Sequence, residues 1–431
     1  MSLKIFTLIV FFLTYIFIIV FNKYKSFLTM FFSLTLILFG AVSFKEALFN
    51  LINWNVLMIY IGTLILADLF IYSKAPMTFA DYIVNKSKNS GLAIVFLCFF
   101  TGIISIFVEN VATVLVVAPL AFDISKKLKI SPIPILISIA ISSNLQGTAT
   151  LVGDPPSMIF AGHAGLSFND FFFSNGKPSI FFIVEAGALA SLIYLFFLFR
   201  KYNDKKIQEE EVKPLTYIPL VLLIIMVLGL AVISFIEKGF SIKSGIWCMT
   251  IGFVGILWFF IFRSKDLKES IDIIKRLDWD TVVFLIGIFI VIGTFSKVGL
   301  INDLANLILR FIGKNPIASF LIITFLSMIL SGFIDNVPYI IIMLPIVEKI
   351  AITLSINPFL LYSGLLVGSC LGGNITPVGA SANVVAMGLL KKEGYNVRFF
   401  DFVKIGLPFT LISTGVAAIV SVLIFMWFDN F

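Results

Sequence analysis

The chain has 431 residues, of which 60% are hydrophobic and 13% are charged, and its mean hydropathy is +1.09. This composition excludes a soluble globular domain and indicates a polytopic membrane protein whose main partner is the lipid bilayer. The net charge of +7 does not indicate a nucleic-acid partner, because the basic residues are spread over short loops between apolar segments.

The first half of the chain alternates apolar segments with short polar loops. A spanning helix needs roughly 20 apolar residues. On this measure we predict helices at 3–21, 26–42 and 54–73, an interfacial segment at 76–88, a hairpin at 91–122, a broken helix at 132–163 and a closing helix at 178–200. The segment 91–122 is too long for one span and too short for two, which favours a re-entrant hairpin with its tip at Glu109 and Asn110. The alternative is a single kinked span, which would change the topology.

The second half follows a charged linker at 201–215 and repeats this plan. We predict helices at 216–236, 245–262 and 279–297, an interfacial segment at 301–314, a hairpin at 316–350, a broken helix at 358–390 and a closing helix at 402–428. The fold class is therefore an all-α polytopic membrane protein with about 10 transmembrane helices, two re-entrant hairpins and two broken helices.

One near-constant offset relates the two halves, 1–200 and 216–431. At an offset of 226 residues, the polar stretch 147–156 falls on 373–382, and Glu109-Asn110-Val111 falls on Asp335-Asn336-Val337. A fixed offset of this kind indicates an internal duplication. Paired hydrophobic segments interrupted by Gly and Pro at corresponding places indicate the binding site of a secondary transporter.

The predicted halves are inverted relative to each other, because each contains an odd number of crossings. On this topology, 22 of the 31 Lys and Arg residues lie on one side. Positive loops mark the cytoplasmic side. We therefore expect a plasma-membrane protein with both termini outside the cytoplasm.

The helix breaks suit ion transport, because a helix cut inside the membrane directs carbonyl groups and N–H groups into the gap. The residues expected to permit the breaks are Gly147, Gly153, Pro155, Pro156, Pro338, Gly372, Gly373 and Gly379. The neutral oxygen donors expected around an ion are Asn110, Thr113, Asn144, Thr148, Thr150, Asn336, Asn374, Thr376, Ser381 and Asn383. We predict no structural metal and no cofactor, and a proton or sodium as the coupling ion.

Three carboxylates, Glu109, Asp154 and Asp335, lie at predicted membrane depth, where charged residues are costly and are functional candidates by default. Burial favours their protonated form unless a cation binds nearby, which allows protonation to be exchanged for cation binding. The alternative is that each acid caps a helix end. Because no Lys or Arg lies within the polar islands, we expect no permanent ion pair there.

These islands resemble those of the ion transporter superfamily, especially its branch of arsenite efflux permeases, D-type sodium/proton antiporters and the melanosomal P protein, alongside citrate-transporter-like permeases. The resembling stretches are 147–156, 335–338, 371–374 and 379–385. The resemblance implies scaffold helices at 1–75 and 216–297, transport parts at 90–165 and 315–390, closing helices at 178–200 and 402–428, a homodimer, and elevator-like movement. It also implies substrate and ions bound between the hairpin tips.

One departure from the superfamily bears on the substrate. Its dicarboxylate symporters carry Ser-Asn-Thr at both tips, whereas this chain has Glu109-Asn110-Val111 and Asp335-Asn336-Val337. An ionised acid repels a carboxylate substrate, which favours a cation, a proton or a neutral species such as arsenous acid.

We therefore predict an ion-coupled secondary transporter, with efflux of arsenite or antimonite favoured. The alternatives are a sodium/proton antiporter, a sodium-coupled permease for di- or tricarboxylates or another anion, and a channel. The sequence lacks the His-Glu-x-x-His and Gly-x-Ser-x-Gly enzyme motifs and an ATP-binding loop, so we expect no enzyme. The energy source is then an ion gradient or a separate ATPase partner.

Overall fold

The computed structural model describes residues 2–202, 212–264, 267–312 and 315–428. The first half contains α1 (Leu3–Val20), α2 (Lys25–Leu38), α3 (Phe44–Glu46), α4 (Trp54–Tyr72), α5 (Ala75–Lys86), α6 (Ser90–Ser105), α7 (Asn110–Leu128), α8 (Ile133–Gly147), α9 (Pro155–Ala164), a two-stranded hairpin of β1 (Phe173–Ser174) and β2 (Lys177–Pro178), and α10 (Ile180–Phe199). The second half contains α11 (Ile218–Ile236), α12 (Ile242–Phe262), α13 (Leu267–Arg276), α14 (Trp279–Lys297), α15 (Leu300–Ile312), α16 (Pro316–Ser331), α17 (Asn336–Leu354), α18 (Pro358–Gly372), α19 (Ser381–Lys392) and α20 (Phe399–Phe428). Most of the predicted linker, 203–211, lies outside the described residues.

The outer surface is apolar, as a bilayer requires. Within the described ranges, nine helices are long and apolar enough to cross a membrane, or up to ten if the bent pair α15 and α16 forms one span. Large apolar side chains such as Leu38, Phe235 and Phe262 are exposed on the outside, where lipid would cover them. The predicted all-helical polytopic fold class is confirmed.

The order of elements is repeated from α4–α10 to α14–α20, and the local geometry is repeated with it. Glu109 and Asp335 precede α7 and α17 with nearly equal backbone angles, φ −51° and ψ 139° against φ −49° and ψ 132°. The two helices also end in the same way, on the left-handed residues Lys129 and Ser355, each with φ 57°. Both α5 and α15 pack on the second helix of the hairpin that follows them, as expected where the chain turns back at the tip.

Helices pair reciprocally between the halves. α4 packs on α12, and its repeat counterpart α14 packs on α2; α9 packs on α17, and its counterpart α19 packs on α7. Small residues permit the closest of these contacts, since a Cβ built on Gly62 would lie 2.4 Å from the backbone of Cys248, and one built on the equivalent Gly287 would lie 2.7 Å from Thr29.

The helices form two bundles. One bundle contains α1, α2, α4, α11, α12 and α14, and the other contains α6–α10 and α16–α20. The assignment of these bundles as scaffold and transport parts stays a prediction.

Both broken helices are interrupted where the sequence predicts. α8 ends at Gly147 and α9 begins at Pro155, while α18 ends at Gly372, is followed by a short 3₁₀ turn at Gly373–Ile375, and is continued by α19 from Ser381. Proline is tolerated in the first turn of a helix, where its missing N–H would have no partner. The glycines let the chain fold tightly against itself.

Several short elements were not predicted, among them α3 with the π-helical turn at Ala47–Leu51, the 3₁₀ turn at Asn169–Phe171, the β1–β2 hairpin and α13. A criterion based on apolar segments of about 20 residues does not detect elements as short as these. α13 in particular is amphipathic and charged, with the sequence LKESIDIIKR, so no apolar run reveals it.

We predict that Gly153→Ala and Gly379→Ala each lower the free energy of unfolding by about 1–3 kcal/mol. The added Cβ would lie 2.2 Å from the carbonyl oxygen of Gly147 in the first case and 2.5 Å from that of Gly373 in the second. Thermal unfolding of the detergent-solubilised protein measures the change. Gly388→Ala and Gly415→Ala are matched controls, because both glycines lie inside helices with nothing within 4 Å of a new Cβ. Equal effects in the two pairs would contradict the steric explanation.

Candidate ion site

A small cavity of about 40 Å³ lies where four helices begin. The first turns of α7, α9, α17 and α19 line it through Asn110, Pro155, Pro156, Asn336, Val337, Ser381 and Ala382. Their N-termini carry partial positive charge and unpaired N–H groups. In this conformation the cavity has room for about three water molecules.

Carboxylates cap three of these four helices. Glu109 accepts a hydrogen bond from the N–H of Ala112 at 3.0 Å, and Asp335 accepts one from the N–H of Val337 at 3.0 Å. Asp154 is 1% exposed and accepts from the N–H of Ser157 at 2.9 Å. The capping alternative raised by the sequence is therefore observed at all three acids. Capping does not prevent these acids from binding an ion, because a carboxylate has about four lone-pair sites and a cap uses only some of them.

The fourth helix differs. α19 is preceded by Ala380, the repeat counterpart of Asp154, and no side chain caps it. The hydroxyl group of Ser381, the first residue of α19, lines the cavity instead. At the helix breaks the two halves therefore contribute unlike residues to the same cavity, Asp154 from the first half and Ser381 from the second.

The other bundle completes the cavity with Lys25, Tyr60, Asp278 and Thr281. Asp278 caps α14 by accepting from the N–H of Thr281 at 3.0 Å, and it also accepts from the hydroxyl group of Tyr60 at 3.3 Å. The cavity thus brings together four carboxylates and, among the described residues that line it, one lysine.

Lys25 corrects one expectation. Its Nζ lies 3.4 Å from Oδ2 of Asp335, with both side chains 13% exposed, and 5.1 Å from the ring centre of Phe284. We expected no permanent ion pair at the islands because no cation lies within them, but in this conformation a lysine from outside the islands pairs with Asp335. Lys25 comes from α2, more than 300 residues away along the chain.

Lys25, Asp278 and Thr281 were missed because polar groups at the ends of predicted spans are common, and Tyr60 was missed because it lies within an apolar span. The repeat contains a usable signal for Asp278. It precedes Trp279, which matches Trp54 at an offset of 225, so Asp278 corresponds to Asn53. The two copies of the repeat therefore differ in chemistry at this position, with an acid in one copy and an amide in the other.

A buried polar network lies behind the cavity. The Ser105 hydroxyl donates to Oδ1 of Asn110 at 2.5 Å and lies 2.9 Å from the Ser143 hydroxyl. Asn144, which lines the cavity, donates from Nδ2 to Oδ1 of Asn374 at 3.0 Å and also to the carbonyl of Cys370 at 3.0 Å. This network joins the first hairpin tip and the two helix breaks across the halves.

Most of the remaining predicted oxygen donors bond to the backbone. Thr150 donates to the carbonyl of Ile106, and Thr376 donates to that of Gly332, both at 2.5 Å, so each break is fastened to its neighbouring hairpin tip. The hydroxyl group of Thr113 donates to the carbonyl of Glu109, and that of Thr148 donates to the carboxylate of Asp154. The side-chain amide of Asn383 donates to the carbonyls of Gly373 and Thr376. Seven of the predicted ion-binding residues line the cavity, as do the predicted helix-break residues Pro155 and Pro156; the seven are Glu109, Asn110, Asn144, Asp154, Asp335, Asn336 and Ser381.

Within the part of the chain that the structure describes, no three His, Cys, Asp or Glu residues lie close enough together to hold a metal ion. The carboxylates surround the cavity from different helices and do not converge on one point. Their arrangement suits a transient occupant that each acid contacts separately.

Known proteins resemble this chain over most of its length. The citrate transporter family model matches residues 15–363 and 266–430. An uncharacterised transporter of Mycobacterium tuberculosis is 28% identical over 404 residues, covering 88% of this chain and 87% of the relative. The 46 kDa membrane protein of Mycobacterium leprae is 30% identical over 375 residues, covering 85% and 86%. The human P protein is 24% identical, and the match spans 86% of this chain and 54% of that protein.

Among solved structures, the YdaH transporter of Alcanivorax borkumensis matches with a TM-score of 0.63 at 15% identity, covering 92% of this chain and 89% of that one. At this identity the likeness concerns the fold alone. Fold and site together define a multi-pass integral membrane protein of the secondary transporter class. The chain belongs to the citrate transporter family.

We predict that Thr150→Val and Thr376→Val each lower the free energy of unfolding by about 1–3 kcal/mol, because each leaves a buried carbonyl at a hairpin tip without its partner. Thermal unfolding measures this. Thr410→Val is the matched control, since buried Thr410 donates only within its own helix, to Gly406 at 2.8 Å. Loss of stability in Thr410→Val as large as in the other two would contradict the fastening role.

Proposed function

We propose that the chain is a proton- or sodium-coupled transporter of a small inorganic ion or solute, with efflux of arsenite or antimonite as the favoured activity. The observation that supports this is the cavity itself, in which Glu109, Asp154, Asp278 and Asp335 face one lysine. An excess of carboxylates attracts cations and repels polyanions. Few waters fit the cavity, so a small cargo suits it best.

The coupling step follows from burial. A carboxylate in a site of low dielectric constant is costly when ionised and alone, so it binds either a proton or a cation. Glu109 and Asp335 are the proposed coupling residues, because each sits at a hairpin tip and lines the cavity. Asn110 and Asn336 supply neutral oxygens beside them.

A neutral hydroxylated solute also suits these groups. Arsenous acid carries hydroxyl groups that donate to carboxylates and oxygens that accept hydrogen bonds. Ser381 and the uncapped N-terminus of α19 supply donors, and the carboxylates supply acceptors. This combination of donors and acceptors favours arsenous acid over a bare cation as the cargo.

The movement that we propose is elevator-like. The bundle of hairpins and broken helices, α6–α9 and α16–α19, would carry the site past α1, α2, α4, α11, α12 and α14. The cavity supports this because it lies between the two bundles, with Asp278 and Tyr60 on one side and the hairpin tips on the other.

Citrate or another di- or tricarboxylate is the second candidate, and the description of the matched family favours it. Four helix N-termini could offset part of the repulsion on such an anion. The acidic tips would then need protons or cations bound before the anion enters. A sodium/proton antiporter without further cargo is the third candidate.

We predict that Glu109→Gln and Asp335→Asn abolish coupled transport without preventing membrane insertion. Asn is about as good an N-cap as Asp, so Asp335→Asn removes the charge and keeps the cap. Proteoliposomes with a pH-sensitive dye in the lumen measure coupling as collapse of an imposed pH gradient. Asp68→Asn is the control, because this carboxylate lies in α4, pairs with Arg276 at 3.5 Å and does not line the cavity. Full activity in both tip variants would refute the coupling role.

The same vesicles discriminate between the cargoes when sodium, arsenite and citrate are added in separate runs. Collapse of the gradient by arsenite supports the favoured activity. Collapse by sodium alone makes the protein a sodium/proton antiporter, and collapse by citrate makes it a carboxylate permease. A conductance that rises without saturation in any run would indicate a channel.

We also propose a place in the cell membrane with both termini outside the cytoplasm. The test is labelling of single cysteines at Ser2 and Lys213 by an impermeant maleimide in intact cells, after Cys98, Cys248 and Cys370 are replaced by Ser. We expect the cysteine at 2 to react and that at 213 to be protected; the reverse pattern would invert the topology. A homodimer and a separate ATPase partner stay predictions, which cross-linking and copurification would test.

A further inference from the structure

Lys25 occupies a position that the internal repeat makes informative. The Ser26 hydroxyl donates to Asp280, and the N–H of Gly245 donates to Asn55 at 2.9 Å. Asn55 and Asp280 are repeat counterparts, at an offset of 225. Ser26 therefore corresponds to Gly245, and Lys25 corresponds to Ser244, the preceding residue. The second copy has no cation where the first has Lys25.

The two copies are also placed differently against the hairpin tips. Asp278 lines the cavity between the tips. Its counterpart Asn53 instead lies against Gly162, in the second turn of α9 and beyond the break. Asn53 lines a separate cavity of about 240 Å³, which contains none of Glu109, Asp154 or Asp335. The site therefore lies at the end of the molecule where α2 and α14 begin.

An arrangement with the roles of the halves exchanged gives the opposite state of an elevator. In that state the tips would lie beside Asn53 and Ser244. The charged groups Lys25 and Asp278 would be left behind at the other end, and the site would face an amide and a hydroxyl group. The scaffold thus offers the site Lys25 and Asp278 at one end of its travel, and Ser244 and Asn53 at the equivalent positions of the other end.

We propose that Lys25 is a tethered cation, which binds Asp335 when the site is empty at this end and which the coupling cation must displace. This inference rests on the proposed coupling role of Asp335. The geometry that supports it is the 3.4 Å contact between Nζ of Lys25 and Oδ2 of Asp335 in a site where both side chains are largely buried. Lys25 neutralises the carboxylate that an empty site would otherwise leave uncompensated.

Two consequences follow. The apparent affinity for the coupling cation is lower when the site lies beside Lys25 (the Lys25 end) than when it lies beside Ser244 (the Ser244 end). Only at the Lys25 end does the coupling cation compete with the ammonium group of a lysine. The empty transporter also prefers the Lys25 end, since the ion pair forms only there. Lys25 therefore favours release of the cation at this end.

The first test measures the preferred state and needs no knowledge of the coupling ion. Spin labels at Leu38→Cys on α2 and Ile352→Cys on α17, both exposed positions, report the distance between the bundles in the cysteine-free background. Lys25→Met should shift the ratio of the two distance populations about tenfold away from the present state in sodium-free buffer at neutral pH. Lys25→Arg should retain the wild-type ratio.

Lys297→Met is the matched control, because Lys297 pairs with Glu46 at 2.5 Å away from the cavity. An unchanged ratio in Lys25→Met, or an equal shift in Lys297→Met, would overturn the proposal. If Lys25→Met fails to fold, Ser244→Lys tests the converse, since a second tethered cation should shift the ratio towards the opposite state.

The second test measures competition. In oriented proteoliposomes, Lys25→Met should raise the apparent affinity for sodium or protons about tenfold at the Lys25 end and leave it unchanged at the other end. Equal changes at both ends would indicate a general field effect and refute the tethered-cation role. If wild-type transport depends on neither sodium nor protons, the proposed coupling function fails, while the distance measurement still reports whether the ion pair sets the state.

Discussion

The structure depends on satisfying helix ends inside a membrane. Every helix that stops at membrane depth leaves N–H or carbonyl groups that lipid cannot bind, so irregular backbone survives there only when protein surrounds it. This chain meets the requirement with local side chains at three of the four helix starts, and the fourth, α19, has no side-chain cap. Carboxylates cap α7, α9 and α17, and the threonines at 150 and 376 bind the carbonyls of the hairpin tips. The three capping carboxylates therefore line the cavity as well.

This double use means that capping and ion binding are compatible roles for the acids. A helix N-terminus attracts negative charge, so a carboxylate there is stabilised before any ion arrives. The lone pairs that the cap does not use remain available to the cavity. The two copies differ at the break: the first has the acid Asp154, and the second has Ala380, followed by Ser381 and the N–H groups of an uncapped helix.

Much of the fold follows from the sequence, because Gly, Pro and isolated polar residues are costly within an apolar span and therefore mark the places where a helix is interrupted. The start of α7 at Asn110 and the end of α8 at Gly147 agree with the predicted tip and break. The seven predicted ion-binding residues that line the cavity lie in or beside these interruptions. Lys25 and Asp278 escaped notice because they sit at span ends, where a polar residue is ordinary and only three-dimensional packing gives it a role. Short α13 was missed because it has no apolar run.

The reciprocal pairing of helices between the halves has a consequence for biosynthesis. α4 ends at Tyr72 and its main partner α12 begins at Ile242, and α9 likewise packs on α17 from the other half. At about 5–20 residues per second, on the order of 10–30 s separate the synthesis of α4 from that of α12. During this interval the first half must wait in the bilayer with its buried faces exposed to lipid. The contacts between the halves can thus form only after α12 and α17 have been made, so the buried faces of α4 and α9 are completed late in biosynthesis.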